Sequence, residues 1–449
     1  MKTTTVIRNA KLVNEGQVTE SDLLLKDGRI EKIASDLQAP AGAVVVDANG
    51  RHLLPGMIDD QVHFREPGLT HKGDFYSESR AAIAGGVTSY MEMPNSKPPT
   101  TNAEQLEWKY ARAAETSAAN YAFYFGATND NIENIRAIDP SATCGVKVFM
   151  GASTGSMLVD DESTLAAIFR DSPVLIATHC ESTPMIMANI KLAAEKYGKN
   201  IPVTEHANIR SAEACLASSE LAVALAKKYQ AQLHVLHIST ARELALFEPG
   251  PMKGKSITAE ACVHFLHFDD SQYGQYGNLI KCNPAIKSAA DRAALIGAIE
   301  DGRLDIIATD HAPHTAAEKA DDNYLTAPAG LPLVQEVLVA TLELVHEGKL
   351  DLHTAVRGIT HNPARRFSVV ERGFIREGYH ADLVLVDMDG GTDVTRERVL
   401  SRCGWSPFEG RRFRSSIDAV WVNGELAYDG DQVIEHGAAQ RLQFNHAKR

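Results

Sequence analysis

Apolar and polar residues alternate through the first fifty positions of the chain. Thr5-Val6-Ile7-Arg8-Asn9-Ala10, Asp22-Leu23-Leu24-Leu25-Lys26-Asp27-Gly28-Arg29-Ile30 and Ala43-Val44-Val45-Val46-Asp47 each read as short strands, because successive side chains of a strand face opposite sides. Asp27-Gly28 lies between two apolar runs and supplies the positive φ angles of a tight hairpin. The same texture returns at 381–387 and 419–425. Matching patterns predict one small β-sandwich domain of antiparallel strands drawn from both termini. Residues 1–52 would give its N-terminal part and 371–449 its C-terminal part.

Residues 53–370 follow a different rhythm. Short apolar runs alternate with longer segments of helical periodicity, such as 103–117 and 211–228. Eight strands are predicted, ending near His63, Met93, Gly126, Met150, His179, His237, Cys262 and Asp310. Eight strand–helix units over this length predict an α/β chain built on a (β/α)8 TIM-like barrel. His63, Asn95, Lys147, His179, His237 and Asp310 then fall at or just beyond the ends of different strands. In a barrel those ends converge on the face where active sites form.

Composition narrows the partners more than the fold. The 449 residues suffice for one large and one small domain. A net charge of -13 argues against a nucleic-acid or anionic-membrane partner. An anionic small-molecule substrate would have to be drawn in by local cations. The first residues lead directly into a strand pattern without a secretory leader, and no apolar run reaches bilayer length. The cysteines at 144, 180, 215, 262, 282 and 403 form no C-x-x-C pair. A reduced, cytoplasmic setting is the expectation.

The candidate chemistry begins where Leu53-Leu54-Pro55-Gly56-Met57 runs into Ile58-Asp59-Asp60-Gln61-Val62-His63-Phe64-Arg65-Glu66-Pro67-Gly68. One strand end carries an imidazole suited to a metal and a guanidinium suited to a carboxylate. That pairing points to metal-assisted attack on a carbonyl of an anionic substrate. His179 and His237 end two further strands. Each alone is equally well a structural histidine, but three such residues suit zinc. His234 and His237 cannot both face inward along a regular strand, so His237 is assigned to the site and His234 to structure. Lys147, within an apolar strand, must be paired, neutralised or modified. A buried ion pair is the bland reading. A carbamylated lysine, whose two oxygens could bridge two cations, is the sharper one. The small-residue loop Gly151-Ala152-Ser153-Thr154-Gly155-Ser156 is fit to close over a ligand. Asp310, in Thr309-Asp310-His311-Ala312-Pro313-His314, is either a helix cap or a carboxylate that ligates metal and carries a proton. His314 has an imidazole able to donate to a substrate carboxylate. Asn95 and Asn283 either tie loops or contact substrate. Cys180 and Cys282 flank proposed site residues and read as packing residues, since no activating dyad for a thiol nucleophile is evident.

Together, Val62-His63-Phe64-Arg65-Glu66-Pro67-Gly68, Met93-Pro94-Asn95, the strand lysine, the two separate histidines, Asn283-Pro284 and Thr309-Asp310-His311-Ala312-Pro313-His314 resemble the amidohydrolase superfamily, and within it the dihydroorotases. The resemblance covers nearly the whole chain. It implies reversible cyclisation of N-carbamoyl-L-aspartate to L-dihydroorotate in pyrimidine biosynthesis, with one or two zinc ions per subunit. It implies His63, Lys147 and Asp310 around one zinc and carbamylated Lys147, His179 and His237 around the other. Asp310 would be the proton carrier. Arg65, Asn95 and His314 would bind the α-carboxylate, Asn283 and the backbone at Gly330 the ring, and Thr154 would lie on the closing loop. Homodimers are common in that family.

The chain departs from the family's His-x-His with Gln61-x-His63. A neutral amide oxygen is a poorer zinc ligand than imidazole, so Gln61 leaves three outcomes: ligation through oxygen, a one-metal enzyme, or lost activity. A working enzyme is the expectation, because the clamp and Asp310 are all present. Two rivals stand beside it. One is an allantoinase- or dihydropyrimidinase-like cyclic amidase, although allantoinases typically place asparagine where Arg65 stands. The other is a non-catalytic homologue, for which Gln61 is the one supporting feature.

Overall fold

The computed structural model describes residues 3–151 and 157–446. The chain opens with β1 (Thr5–Asn14), β2 (Gln17–Lys26), β3 (Arg29–Ala34), β4 (Val44–Asp47) and β5 (His52–Pro55). The barrel strands are β6 (Met57–Val62), β7 (Val87–Glu92), β8 (Asn120–Phe123), β9 (Phe125–Gly126), β10 (Val146–Phe149), β11 (Ile176–His179), β12 (Leu233–Val235), β13 (Ile257–Cys262) and β14 (Ile306–Ala308). After them come β15 (Leu383–Asp387), β16 (Thr392–Asp393), β17 (Arg412–Phe413), β18 (Ser416–Val422) and β19 (Glu425–Tyr428).

Strands from both ends of the chain form one sheet in the order β19-β18-β15-β5-β1-β2-β3, with β4 also on β1. Every long strand contributes to a second apolar core that includes Ile7, Leu23, Leu53, Leu383 and Trp421, so the sheet curls over its own interior. Asp27 and Gly28 both have positive φ, and Lys26 pairs with Arg29 across them. This is the two-residue hairpin that the sequence predicts. The expectation of purely antiparallel strands needs correction, because β4 and β5 run parallel to β1. The chain leaves β3 through a crossover rather than a hairpin, and a crossover delivers a parallel partner.

In the barrel, β8 and β9 are two pieces of one strand interrupted at Tyr124: β8 pairs with β7 and β9 with β10. The remaining strands follow in parallel to β14. The ring closes where the His63 N–H donates to the His311 carbonyl at 2.7 Å. Around the barrel lie helices such as Ala103–Thr116 and Ala212–Tyr229. Asn102 and Ser211 cap them, each accepting from a first-turn N–H. No helix among the described residues is long and apolar enough to cross a membrane.

Two polar braces tie the barrel mouth to its surroundings. Lys109, on the helix Ala103–Thr116, forms an ion pair with Glu92 at the end of β7, with both side chains at most 2% exposed. Its ammonium also donates to the Met93 carbonyl at 3.2 Å. Lys109→Met should destabilise the fold by about 3 kcal/mol, the lower end of what an orphaned buried charge costs. Burial lifts Glu92 to about 7 even beside Lys109, so protonation limits the penalty. The denaturant midpoint measures this, and an unchanged midpoint would make the pair dispensable. The second brace comes from the chain after β16. Ser401 and the Arg402 N–H donate to Glu78, which also holds His311, and Trp405 Nε1 donates to the His314 carbonyl at 2.8 Å.

Candidate active site

The C-terminal ends of the barrel strands surround a cavity of about 160 Å³. Gln61, His63, Arg65, Asn95, Lys147, His179, His237, Asn283, Asp310, His314 and Gly330 all line it. Thr154 lies outside the described residues. The residues come from widely separated segments between Gln61 and Gly330, and the register of β6 shifts between Asp59 and Val62.

On one side of the cavity, His63 Nδ1 donates to Asn95 Oδ1 at 2.8 Å. His63 Nε2 lies 3.1 Å from Asp310 Oδ1, and burial pushes the imidazole pKa down against the pull of that carboxylate. Burial alone would raise the Asp310 carboxyl. The His63 contact and nearby histidines outweigh it and hold the group at about 2. On the other side, Glu181 accepts from His179 Nε2 at 3.0 Å and is fixed in turn by Arg210. That leaves the His179 Nδ1 lone pair toward His237 Nε2, 3.0 Å away. Carboxylates commonly orient metal-binding imidazoles in this way. Between the two pairs, Lys147 is 1% exposed, with Nζ 4.6 Å from the Phe149 ring centroid. Burial brings its ammonium down to about 8. Three imidazoles and an ionised carboxylate converging on one cavity form a donor set of the kind a divalent cation satisfies. The residues present therefore fit a metal.

A third set of groups faces the same cavity. Arg65 Nε donates to the Pro313 carbonyl at 3.1 Å, and one terminal nitrogen lies 3.2 Å from His314 Nε2. Burial lowers the guanidinium to about 10, so it stays charged at neutral pH. Lys72 Nζ lies 3.0 Å from His314 Nδ1. An ammonium can only donate, so Nδ1 is the acceptor and the ring proton sits on Nε2, near the Ala329 carbonyl at 3.1 Å. Burial and the charges of Arg65, Lys72 and Lys319 push the His314 pKa far down, keeping the ring neutral. Gly330 has φ +143, and a Cβ there would lie 2.5 Å from the Ala312 carbonyl and 3.0 Å from His314. Only glycine lets the backbone come this close to His314. Asn283 Oδ1 is buried without a hydrogen-bond partner among the described residues.

His234 and His237 both face the barrel interior, which corrects the expectation that only one could. The strand β12 stops at Val235 and His237 takes a positive φ of 41°, breaking the alternation. His234 belongs to a deeper trio with Asp60 and Glu260, whose ligand-type atoms lie within 4.8 Å of one another and could hold a metal ion. None of the three lines the cavity. Thr258 donates to the Leu233 carbonyl, so its oxygen accepts from His234 Nδ1 at 2.8 Å, while Nε2 faces Glu260 and Asp60 at 3.1 and 3.3 Å. Burial opposes protonation here, but the two carboxylates outweigh it and lift the ring to about 9. Glu260 also accepts the His237 N–H at 3.1 Å, steadying that left-handed residue.

The sequence reading missed Glu181, Arg210, Lys72 and Glu260. Glu181 follows His179 by two positions, which is the one local signal available. The other three reach the site from distant segments. Cys180 and Cys282 are buried free thiols, and burial raises Cys180 to about 11 and pushes Cys282 up further, above the range of a reactive thiolate.

Comparison with known proteins supplies the context. The amidohydrolase family model matches residues 52–427. The chain is 35% identical to a dihydroorotase of Halobacterium salinarum over 95% of this chain and 97% of that one. It is 30% identical to an allantoinase of Bacillus velezensis over 96% of each. Among solved structures, L-hydantoinase (dihydropyrimidinase) from Arthrobacter aurescens superposes with a TM-score of 0.93 at 26% identity, over 99% of this chain and 100% of that one. With residues 52–427 matched by the family model and the relatives aligned nearly end to end, the chain belongs to the amidohydrolase family.

Proposed function

We propose that the chain is a metal-dependent dihydroorotase, interconverting L-dihydroorotate and N-carbamoyl-L-aspartate. The observation that carries this reading is the pairing of Arg65 with a neutral His314 whose proton is directed by Lys72, on the cavity that also holds the imidazole and carboxylate donors. A cyclic amide without a carboxylate gives a buried guanidinium nothing to neutralise. Relatives named dihydroorotase at 30–35% identity support the reading.

His63, Lys147, Asp310, His179 and His237 would hold zinc, with Lys147 as its carbamate joining the two halves of the donor set. Bound there, zinc would polarise the ring amide carbonyl and lower the pKa of water. Arg65 and His314 Nε2, with the Asn95 amide, hold the substrate carboxylate and fix the ring against the donor set. Asn283 Oδ1 accepts a ring N–H, which satisfies an otherwise orphaned acceptor. In the hydrolytic direction Asp310 takes the proton of the attacking water. As the carbonyl carbon–nitrogen bond breaks, it passes that proton to the departing ring nitrogen.

Zinc-supplemented turnover of L-dihydroorotate, with metal content measured on the same sample, tests the proposal. Formation of N-carbamoyl-L-aspartate is the expected result. A folded, metal-loaded protein that leaves L-dihydroorotate intact but opens allantoin or a hydantoin would overturn it.

A further inference from the structure

We infer that Gln61 is a positioning residue for Asp310 and not a metal ligand, so that the barrel mouth holds one firmly bound cation per chain. The inference rests on the metal-dependent reading above. Gln61 is 1% exposed, and both ends of its amide are engaged. Nε2 lies 3.0 Å from Asp310 Oδ1, and Oε1 lies 3.7 Å from the Cys262 thiol. Chemistry fixes this orientation. An ionised carboxylate only accepts, so the NH2 end must face Asp310, and the thiol on β13 is left to donate to the amide oxygen. The oxygen is the one atom through which glutamine could ligate zinc, and it is turned toward the Cys262 thiol.

The donor to Asp310 answers a specific need. Asp310 has φ 51, a left-handed backbone that non-glycine residues adopt only when their surroundings hold them. Its Oδ1 is gripped from two sides, by His63 Nε2 at 3.1 Å and Gln61 Nε2 at 3.0 Å. A histidine at position 61 would present a lone pair to a cation. Glutamine instead presents a hydrogen to the carboxylate that moves the proton. The chain thus exchanges one metal ligand for one hydrogen bond to the proton carrier. The half of the donor set built from His63 loses a ligand, while the half built from Lys147, His179 and His237 keeps its own.

Titration of the chelator-stripped full-length protein with cobalt, followed by visible absorption and metal analysis, tests this without any substrate. Wild type should take up one tight equivalent. Gln61→Ala should keep that equivalent and the same cobalt spectrum. Gln61→His should gain a second equivalent and a changed spectrum. On the substrate the chain hydrolyses, Gln61→Ala should lower kcat by about 10- to 100-fold, the cost of a misplaced reacting group, with KM unchanged. Two tight equivalents in wild type, loss of an equivalent or a shifted spectrum in Gln61→Ala, or an effect on KM rather than kcat would each overturn the inference. Cobalt uptake without turnover of L-dihydroorotate sinks only the substrate reading. A chain that takes up no cobalt sinks both.

Discussion

Asp310→Asn should fold normally and lose about 10³-fold in kcat, the scale of positioned acid–base catalysis. Asparagine matches aspartate in shape and still offers an oxygen to Gln61 Nε2. It cannot take a proton from water or return one to a leaving nitrogen. The wild-type carboxylate is suited to begin as the base, because it is held ionised at about 2 within hydrogen-bond reach of His63. Metal content must be determined on the same preparation, so that a lost ligand is separated from a lost proton carrier. A drop of less than 10-fold in a metal-loaded variant would assign the proton transfer to another group.

Arg65→Ala should raise KM for L-dihydroorotate by about 10²- to 10³-fold. Truncating one partner of a desolvated charge pair costs roughly 2–5 kcal/mol, and every 1.4 kcal/mol is about tenfold. The Arg65 backbone has a positive φ of 73°, a conformation alanine adopts at comparable cost, so the backbone penalty should largely cancel. The informative control is a neutral hydantoin, which has no carboxylate to lose. Its kinetic constants should change by about twofold or less, since uniform binding to the missing group never contributed. Equal losses on both substrates would mean that Arg65 serves mainly to hold the Pro313 carbonyl and the loop behind it. The chain's net charge of -13 makes this local cation the more necessary, because the global field repels an anionic substrate.

The sequence by itself determined the two architectures and the order of their parts. Strand alternation over 5–47 and again after 381, and the strand–helix rhythm between them, are local signals that survive without knowledge of contacts. They place His63, Lys147, His179, His237 and Asp310 at strand ends, and a barrel gathers such ends on one face. Local periodicity failed where a strand stopped being regular. The short β12 and the left-handed His237 put two histidines inside, and the crossover after β3 made β4 parallel.

Only the tertiary structure decided what each polar atom faces. Gln61 and Asp310 are 249 positions apart, and His314 and Lys72 are 242 apart. Glu181 meets Arg210 across 29 residues, and Trp405 reaches the His314 carbonyl across 91. A hydrogen bond between such distant segments leaves no periodic trace in either of them. Its existence depends on strand register, including the shift in β6, and on the closure of the barrel. Those same contacts select the His314 tautomer, turn the Gln61 amide and fix the His179 ring. The sequence names the groups present at the mouth of the barrel, and folding decides which of them donate, which accept and which keep a lone pair for a cation, because donor direction is a property of packed neighbours and not of residue type.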